Sequence, residues 1–226
     1  MIRSTLPVQL FGAVGALALG ALATPARAQV TDNVVNSKHN ISQRATSNPT
    51  ALTNYGEVCV YCHTPHGGQT STNAPLWNRA FGTGPYQMYN QAWSSTIDMT
   101  VEAQPQGVSL ACLSCHDGTV GLDVIINRPN ADTALAPKGG TMPANAGQFF
   151  ANLGTDLRND HPISVTYSTA SDAAFNAPAG GKIGGQLPLY SGRVECGTCH
   201  NPHNTTNPPF LRLSISHCHA SRSRRY

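Results

Sequence analysis

Three pentapeptides of one pattern, Cys-x-x-Cys-His, recur along this 226-residue chain: Cys59-Val60-Tyr61-Cys62-His63, Cys112-Leu113-Ser114-Cys115-His116 and Cys196-Gly197-Thr198-Cys199-His200. Two thiols at this spacing can add to the two vinyl groups of one porphyrin while the adjoining imidazole reaches its iron, so the pattern is that of c-type haem attachment. Zinc also accepts paired cysteines, but it needs no histidine directly after each second cysteine. Three tetrahedral zinc sets also cannot be completed from these pairs without distant ligands. A thiol–disulfide active site calls for a βαβ scaffold, and no alternation of strand and helix patterns surrounds these motifs. Structural disulfides leave the histidines unexplained, and the total of seven cysteines is odd.

Haem iron takes two axial ligands, and the second decides the chemistry. His63, His116 and His200 follow the cysteines and are the proximal candidates. A fourth motif is degenerate: Ile215-Ser216-His217-Cys218-His219 has isoleucine where the first cysteine is expected. Cys218 could make a single thioether there with His219 on the iron, so three haem c groups are expected and a fourth is left open. The remaining histidines fall into an internal repeat. His39-Asn40-Ile41-Ser42 precedes Cys59-x-x-Cys62-His63-Thr64-Pro65-His66 and the plain motif at 112–116; His161-Pro162-Ile163-Ser164 precedes Cys196-x-x-Cys199-His200-Asn201-Pro202-His203. His39, His66, His161 and His203 therefore occupy matching places, enough to close the second axial position of four irons with only His217 left over.

His66 lies three residues after His63, on the same side of a turn, so it cannot reach the far face of the porphyrin that His63 holds. Pro65 halts the turn and sends His66 elsewhere. The same holds for His203 after Pro202. The expected assignment gives His66 to the haem of Cys112 and Cys115, His203 to the fourth site, and His39 and His161 to the first and third. Met88, Met99 and Met142 are the competing ligands and would raise the potential of a haem they bound, but none stands in a repeated context.

The elements that must position these groups are slight. Brief helical turns are expected under each motif, and 121–126 reads as a short strand. A Pro- and Gly-rich linker covers 127–147, and a comparable loop runs over 177–185. Trp77, Phe81, Tyr86, Tyr89 and Trp93 form one aromatic-rich segment, expected to pack rather than to bind substrate. The resulting layout is a first dihaem module at 29–127, a linker at 128–150, a second haem module at 151–219 and a basic tail at 220–226.

Residues 1–28 read as an export signal: Arg3, an apolar stretch from Val8 to Leu22, then Ala26-Arg27-Ala28 as a small-residue cleavage site. No later stretch is long and apolar enough to span a bilayer, so no stable membrane span is expected after cleavage, and a periplasmic or extracellular location follows. Removing Arg3 and Arg27 from the fourteen basic residues leaves twelve against eleven acidic ones, and haem propionates would make the holoprotein acidic. Nothing points to nucleic-acid binding; the arginines at 222–225 read as a solvated terminus. With 21 glycines, 16 prolines and 7% aromatic residues, the chain is poorly supplied for an ordinary core. Each porphyrin offers apolar area at least comparable to a large aromatic side chain, about 150–250 Å². The apoprotein is accordingly expected to be largely unfolded.

On these residues the chain resembles the bacterial multihaem cytochromes c with a doubled Cys-x-x-Cys-His motif, usually tetrahaem and exported. The matching stretches are Lys38 to Ser42, Cys59 to His66, Pro75-Leu76-Trp77-Asn78-Arg79, Gly107 to Gly118, Asn152 to Asp156 with Asn159 to Ile163, and Cys196 to His203 with Phe210-Leu211-Arg212. The fold implied is mostly irregular with small α content, short helices, long loops and few short strands around packed c-type haems. The resemblance implies an electron carrier with low-potential bis-His haems, exchanging electrons with redox protein donors and acceptors. Such a family would be expected to finish with an intact Cys-Leu-x-Cys-His, from which this C-terminus departs. Two rival functions follow from the same motifs: a small reductase with one open haem position, and a subunit of an extracellular cytochrome filament.

Overall fold

The computed structural model describes residues 33–129, 135–144, 151–170 and 174–214. The chain divides into residues 1–30 and 31–226, and every described residue belongs to the second unit. The export signal, the degenerate motif at 215–219 and the basic tail lie outside the described residues.

Regular structure is confined to short pieces, as the glycine and proline content dictates. Helix α1 (Ile41–Ser47) starts because the Asn40 side chain accepts from the Gln43 N–H at 2.9 Å, and it stops before Pro49, which disfavours helical backbone in the residue ahead of it. It buries Ile41 and Ala45, one turn apart on one face. Helix α2 (Gly107–His116) carries the second motif in its last turn and ends at Gly118, whose φ of 72° is a left-handed stop. Helix α3 (Cys196–Cys199) is the third motif itself, opened by a capping box between Glu195 and Thr198. The first motif begins in a 3-10 turn, Cys59–Tyr61.

Four two-residue strands make two antiparallel pairs. β1 (Val165–Thr166) pairs with β4 (Arg193–Val194), and β2 (Lys182–Ile183) with β3 (Leu187–Pro188), the latter forming a hairpin within and just beyond the 177–185 loop. Residues 121–126, expected as a strand, form turns instead. Asp123 is the reason: its buried carboxylate accepts the backbone N–H groups of Thr53 (2.8 Å), Lys138 (2.6 Å) and Gly139 (3.0 Å), which bends the chain around it. The described part of the expected linker, 135–144, is laid against the first half: Gly140 donates to Ala51 and accepts from Leu122.

Two small apolar clusters form. One joins α1 to Tyr55, Tyr61, Leu122 and Met142; the other joins Leu113 of α2 to Tyr86, Met88, Leu157 and Ile163. Met88 and Met142 thus serve as packing. Of the aromatic segment, Trp77 and Tyr86 are buried, while Trp93 is exposed beneath the Arg158 guanidinium at 4.4 Å. Among the described residues no helix is long and apolar enough to cross a membrane.

Candidate haem-binding site

The first and third motifs are built by the same backbone device. In each, the histidine N–H donates to the carbonyl of the first cysteine, Cys59 at 2.8 Å or Cys196 at 2.9 Å, closing a helical turn. The chain then returns antiparallel to the motif: Asn78 donates to the Cys62 carbonyl (2.8 Å), and Arg212 to that of Cys199 (2.9 Å). Thr64 donates to Leu76 (3.0 Å), and Asn201 to Phe210 (2.8 Å). Leu76 and Phe210 both adopt left-handed backbone, φ 52° and 61°, and this turns the preceding proline carbonyl toward the histidine ring.

That carbonyl fixes the imidazole. Nδ1 of His63 lies 2.7 Å from the Pro75 oxygen and Nδ1 of His200 lies 3.0 Å from that of Pro209; in α2, Nδ1 of His116 lies 2.6 Å from the Ala151 oxygen. A carbonyl only accepts, so each ring must carry its proton on Nδ1 and leave the Nε2 lone pair free. This is the orientation that outer partners impose on metal-binding histidine. Burial lowers the pKa of His116 and of His200, and holds His39 down to about 4, burial being the largest cause and His116 the next. These rings are therefore neutral near pH 7, the form that can bind a metal.

Each of the three faces a second imidazole. Ring centroids are 6.1 Å apart for His63 and His203, 6.2 Å for His161 and His200, and 6.1 Å for His39 and His116. The first two pairs lie nearly parallel, at 18° and 16°, and the third is edge-on at 78°. A direct N–H···N bond between two imidazoles would bring their centres to about 5 Å. Two imidazoles sharing one metal, each nitrogen about 2 Å from it and about 1 Å in front of its ring centre, stand about 6 Å apart. The observed spacing fits the shared ion. Nδ1 of His39, like Nε1 of Trp77 and Oδ2 of Asp160, is buried without a well-formed hydrogen bond, and the His39 ring also interacts with the Pro202 backbone. The donor sets therefore fit iron held between two histidines, with a thiol pair beside each proximal one. Among the described residues no three or more His, Cys, Asp or Glu side chains gather as a conventional metal cluster.

The pairing differs from the one expected. His161 stands beside His200, but His39 faces His116 rather than His63, and His203 faces His63 rather than being reserved for a fourth site. The cause is α1: its buried face packs on a cluster that Cys115 also touches, which carries His39 to the second motif and against Phe210 at 4.4 Å. His66 is exposed, its backbone carbonyl accepting from Thr64 (2.9 Å) and Asn127 (3.1 Å), and no described histidine ring pairs with it. Cys218 and His219 lie outside the described residues.

All six described cysteines are free thiols. Cys112 hydrogen-bonds to Cys196, which raises the Cys112 thiol well above its ordinary range and lowers that of Cys196. Cys62 is pushed up to about 12 by burial, with the neighbouring Cys115 the next cause. The second motif thus touches the third through Cys112 and approaches the first through Cys115. Sequence reading missed the two proline carbonyls. Their signal was present: Pro75-Leu76-Trp77-Asn78 and Pro209-Phe210-Leu211-Arg212 both follow a Cys-x-x-Cys-His-x-Pro-His stretch with two apolar residues after the proline.

No model of a known protein family matches the sequence, and no curated protein matches it.

Proposed function

We propose that this chain is an exported multihaem c-type cytochrome, of the kind with a doubled Cys-x-x-Cys-His motif, that carries single electrons between redox proteins. The observation that carries the reading is the set of three imidazole pairs about 6 Å apart, each with one ring locked by a backbone carbonyl onto its Nδ1 proton. Haem c, bound covalently, supplies a one-electron iron couple whose potential depends on axial ligands, nearby charge and exposure. The chain's own residues do the rest. Cys59 and Cys62, Cys112 and Cys115, and Cys196 and Cys199 would hold the three porphyrins; His63, His116 and His200 would bind one axial side, and His203, His39 and His161 the other.

Two imidazoles on each iron would leave it no open position for substrate, and the chain's residues would then set potential and spacing. The carbonyls of Pro75, Ala151 and Pro209 make the ligating nitrogens more electron-rich and prevent ring rotation. Because Cys112 and Cys115 each neighbour a cysteine of another motif, the second site stands between the first and the third and serves as the relay. Haem-stained electrophoresis with intact-mass measurement of the mature protein, produced with haem maturation, tests this. Three haems, or four if Cys218 and His219 take one, are expected; a colourless or zinc-loaded product would refute the reading.

A further inference from the structure

Trp77 is buried, 9% exposed, and its indole Nε1, which can only donate, has no hydrogen-bond partner. Among the described residues two other buried side-chain polar atoms stand without a well-formed hydrogen bond, Nδ1 of His39 and Oδ2 of Asp160. Each of the three lies at a different imidazole pair. His39 faces His116, Asp160 directly precedes His161, and the Trp77 indole meets the His63 ring edge-on, at 6.0 Å and 86°. Buried polar groups ordinarily find partners because an unmade bond is costly, so an orphan at every pair points to a further group bound there.

The third motif supplies the control. Trp77 stands opposite His63 in an antiparallel bridge, and Leu211 stands opposite His200 in the same way. Residues so paired carry their side chains on one face, so the indole lies on the face from which His63 presents its ring. The two turns share three backbone hydrogen bonds and the proline carbonyl on Nδ1, and leucine fills this register at the third motif. Packing beside the motif histidine therefore needs no polar atom, and tryptophan buries an N–H that leucine does not carry. The acceptor for that N–H has to be a group held next to His63.

Resting on the multihaem reading, we propose that Trp77 is a cofactor-binding residue of the first site: its Nε1–H donates to a propionate carboxylate of the porphyrin held by Cys59, Cys62 and His63. The vinyl groups of such a porphyrin are consumed by the thiols and its pyrrole nitrogens by the iron, which leaves the propionates as its acceptors. A hydrogen bond to a carboxylate is stronger than one between neutral groups. It ties the porphyrin at a point separate from the thioethers and the axial imidazoles. The third site, with Leu211 in this register, has no donor to match it.

Nuclear magnetic resonance of the reduced, haem-loaded protein tests this, with isotope label in the tryptophan nitrogens and the propionate carboxyl carbons. Mass measurement first verifies the haem count: a haem-free product would refute the multihaem reading, whereas a haem-loaded product without the contact refutes this proposal alone. Trp77 and Trp93 are the chain's two tryptophans, and the exposed Trp93 gives the solvent-exchanging reference. The Trp77 indole N–H should exchange slowly and show a correlation across the hydrogen bond to one carboxyl carbon of the haem beside His63. Trp77→Leu, which copies residue 211, should abolish that correlation and shift that carboxyl signal while leaving the carboxyls of the other haems unmoved. Should Trp77→Leu fail to accumulate, the correlation in the native protein decides. Absence of the correlation in the native protein, or a Trp77→Leu variant in which no carboxyl signal moves or those of all haems move alike, would overturn the proposal.

Discussion

The two Cys-x-x-Cys-His-x-Pro-His stretches are built alike and used differently. Around His63 and His200 three backbone hydrogen bonds repeat, together with the left-handed residue and the proline carbonyl on Nδ1. Three residues on, His203 reaches His63 of the other half, whereas His66 points to solvent. A repeated sequence thus dictates a repeated local arrangement, because hydrogen bonds between each motif and the segment that returns 9 to 16 residues on decide it. The destination of the trailing histidine depends on what the rest of the fold brings near, and that is not repeated.

The largest way to break the comparison is to remove what both turns surround. Replacing the six described motif cysteines with alanine should leave a chain with little regular structure by circular dichroism and no cooperative unfolding transition. Its described clusters hold only eight and five buried residues, too few to offset the ordering entropy of so long a chain. A cooperative transition in the haem-free variant would show that the turns stand without porphyrin.

The next effect is at the trailing histidines. His203→Met should raise the potential of the first site and alter its spectrum, since thioether replaces imidazole on one axial side. His66→Met should leave every haem spectrum unchanged. A spectral change in the His66 variant would restore the symmetry that the fold lacks.

Smaller effects separate the returning strands. Asn78 is fully buried: its side chain donates to Val60 (2.7 Å) and Asn127 (3.0 Å) and accepts from the Asn127 N–H (2.8 Å). Asn78→Ala strands these groups and should cost about 3 kcal/mol in denaturant unfolding, against about 1 kcal/mol for Arg212→Ala, which loses one side-chain bond, to Gly197. Smallest is the left-handed pair. Leu76→Gly should be neutral or stabilising by up to about 1 kcal/mol, because Leu76 is half exposed and glycine tolerates its φ. Phe210→Gly relieves the same backbone but removes the ring packed on His39, and should destabilise.

The helical turns under the three motifs were legible because they depend on neighbours within five residues. Short helices and strands were legible from glycine and proline content. The ring that faces each motif histidine was not: that His66 cannot turn back on His63 does not say which distant ring does, and α1 delivers His39 to His116 through packing that spans the chain. Residues 121–126 read as a strand from their apolar run, yet the carboxylate of Asp123 binds backbone from two distant segments and forces a turn. Arg79 stood in the sequence as the end of the Pro75-Leu76-Trp77-Asn78-Arg79 stretch, but nothing there foretold its complete burial.

The central claim is that three irons would each be closed by the imidazole pairs His63 with His203, His39 with His116, and His161 with His200. Low-temperature electron paramagnetic resonance of the oxidised, haem-loaded protein tests it most directly. Low-spin ferric signals of bis-imidazole type from all three sites are predicted; a high-spin signal from any one of them would contradict it.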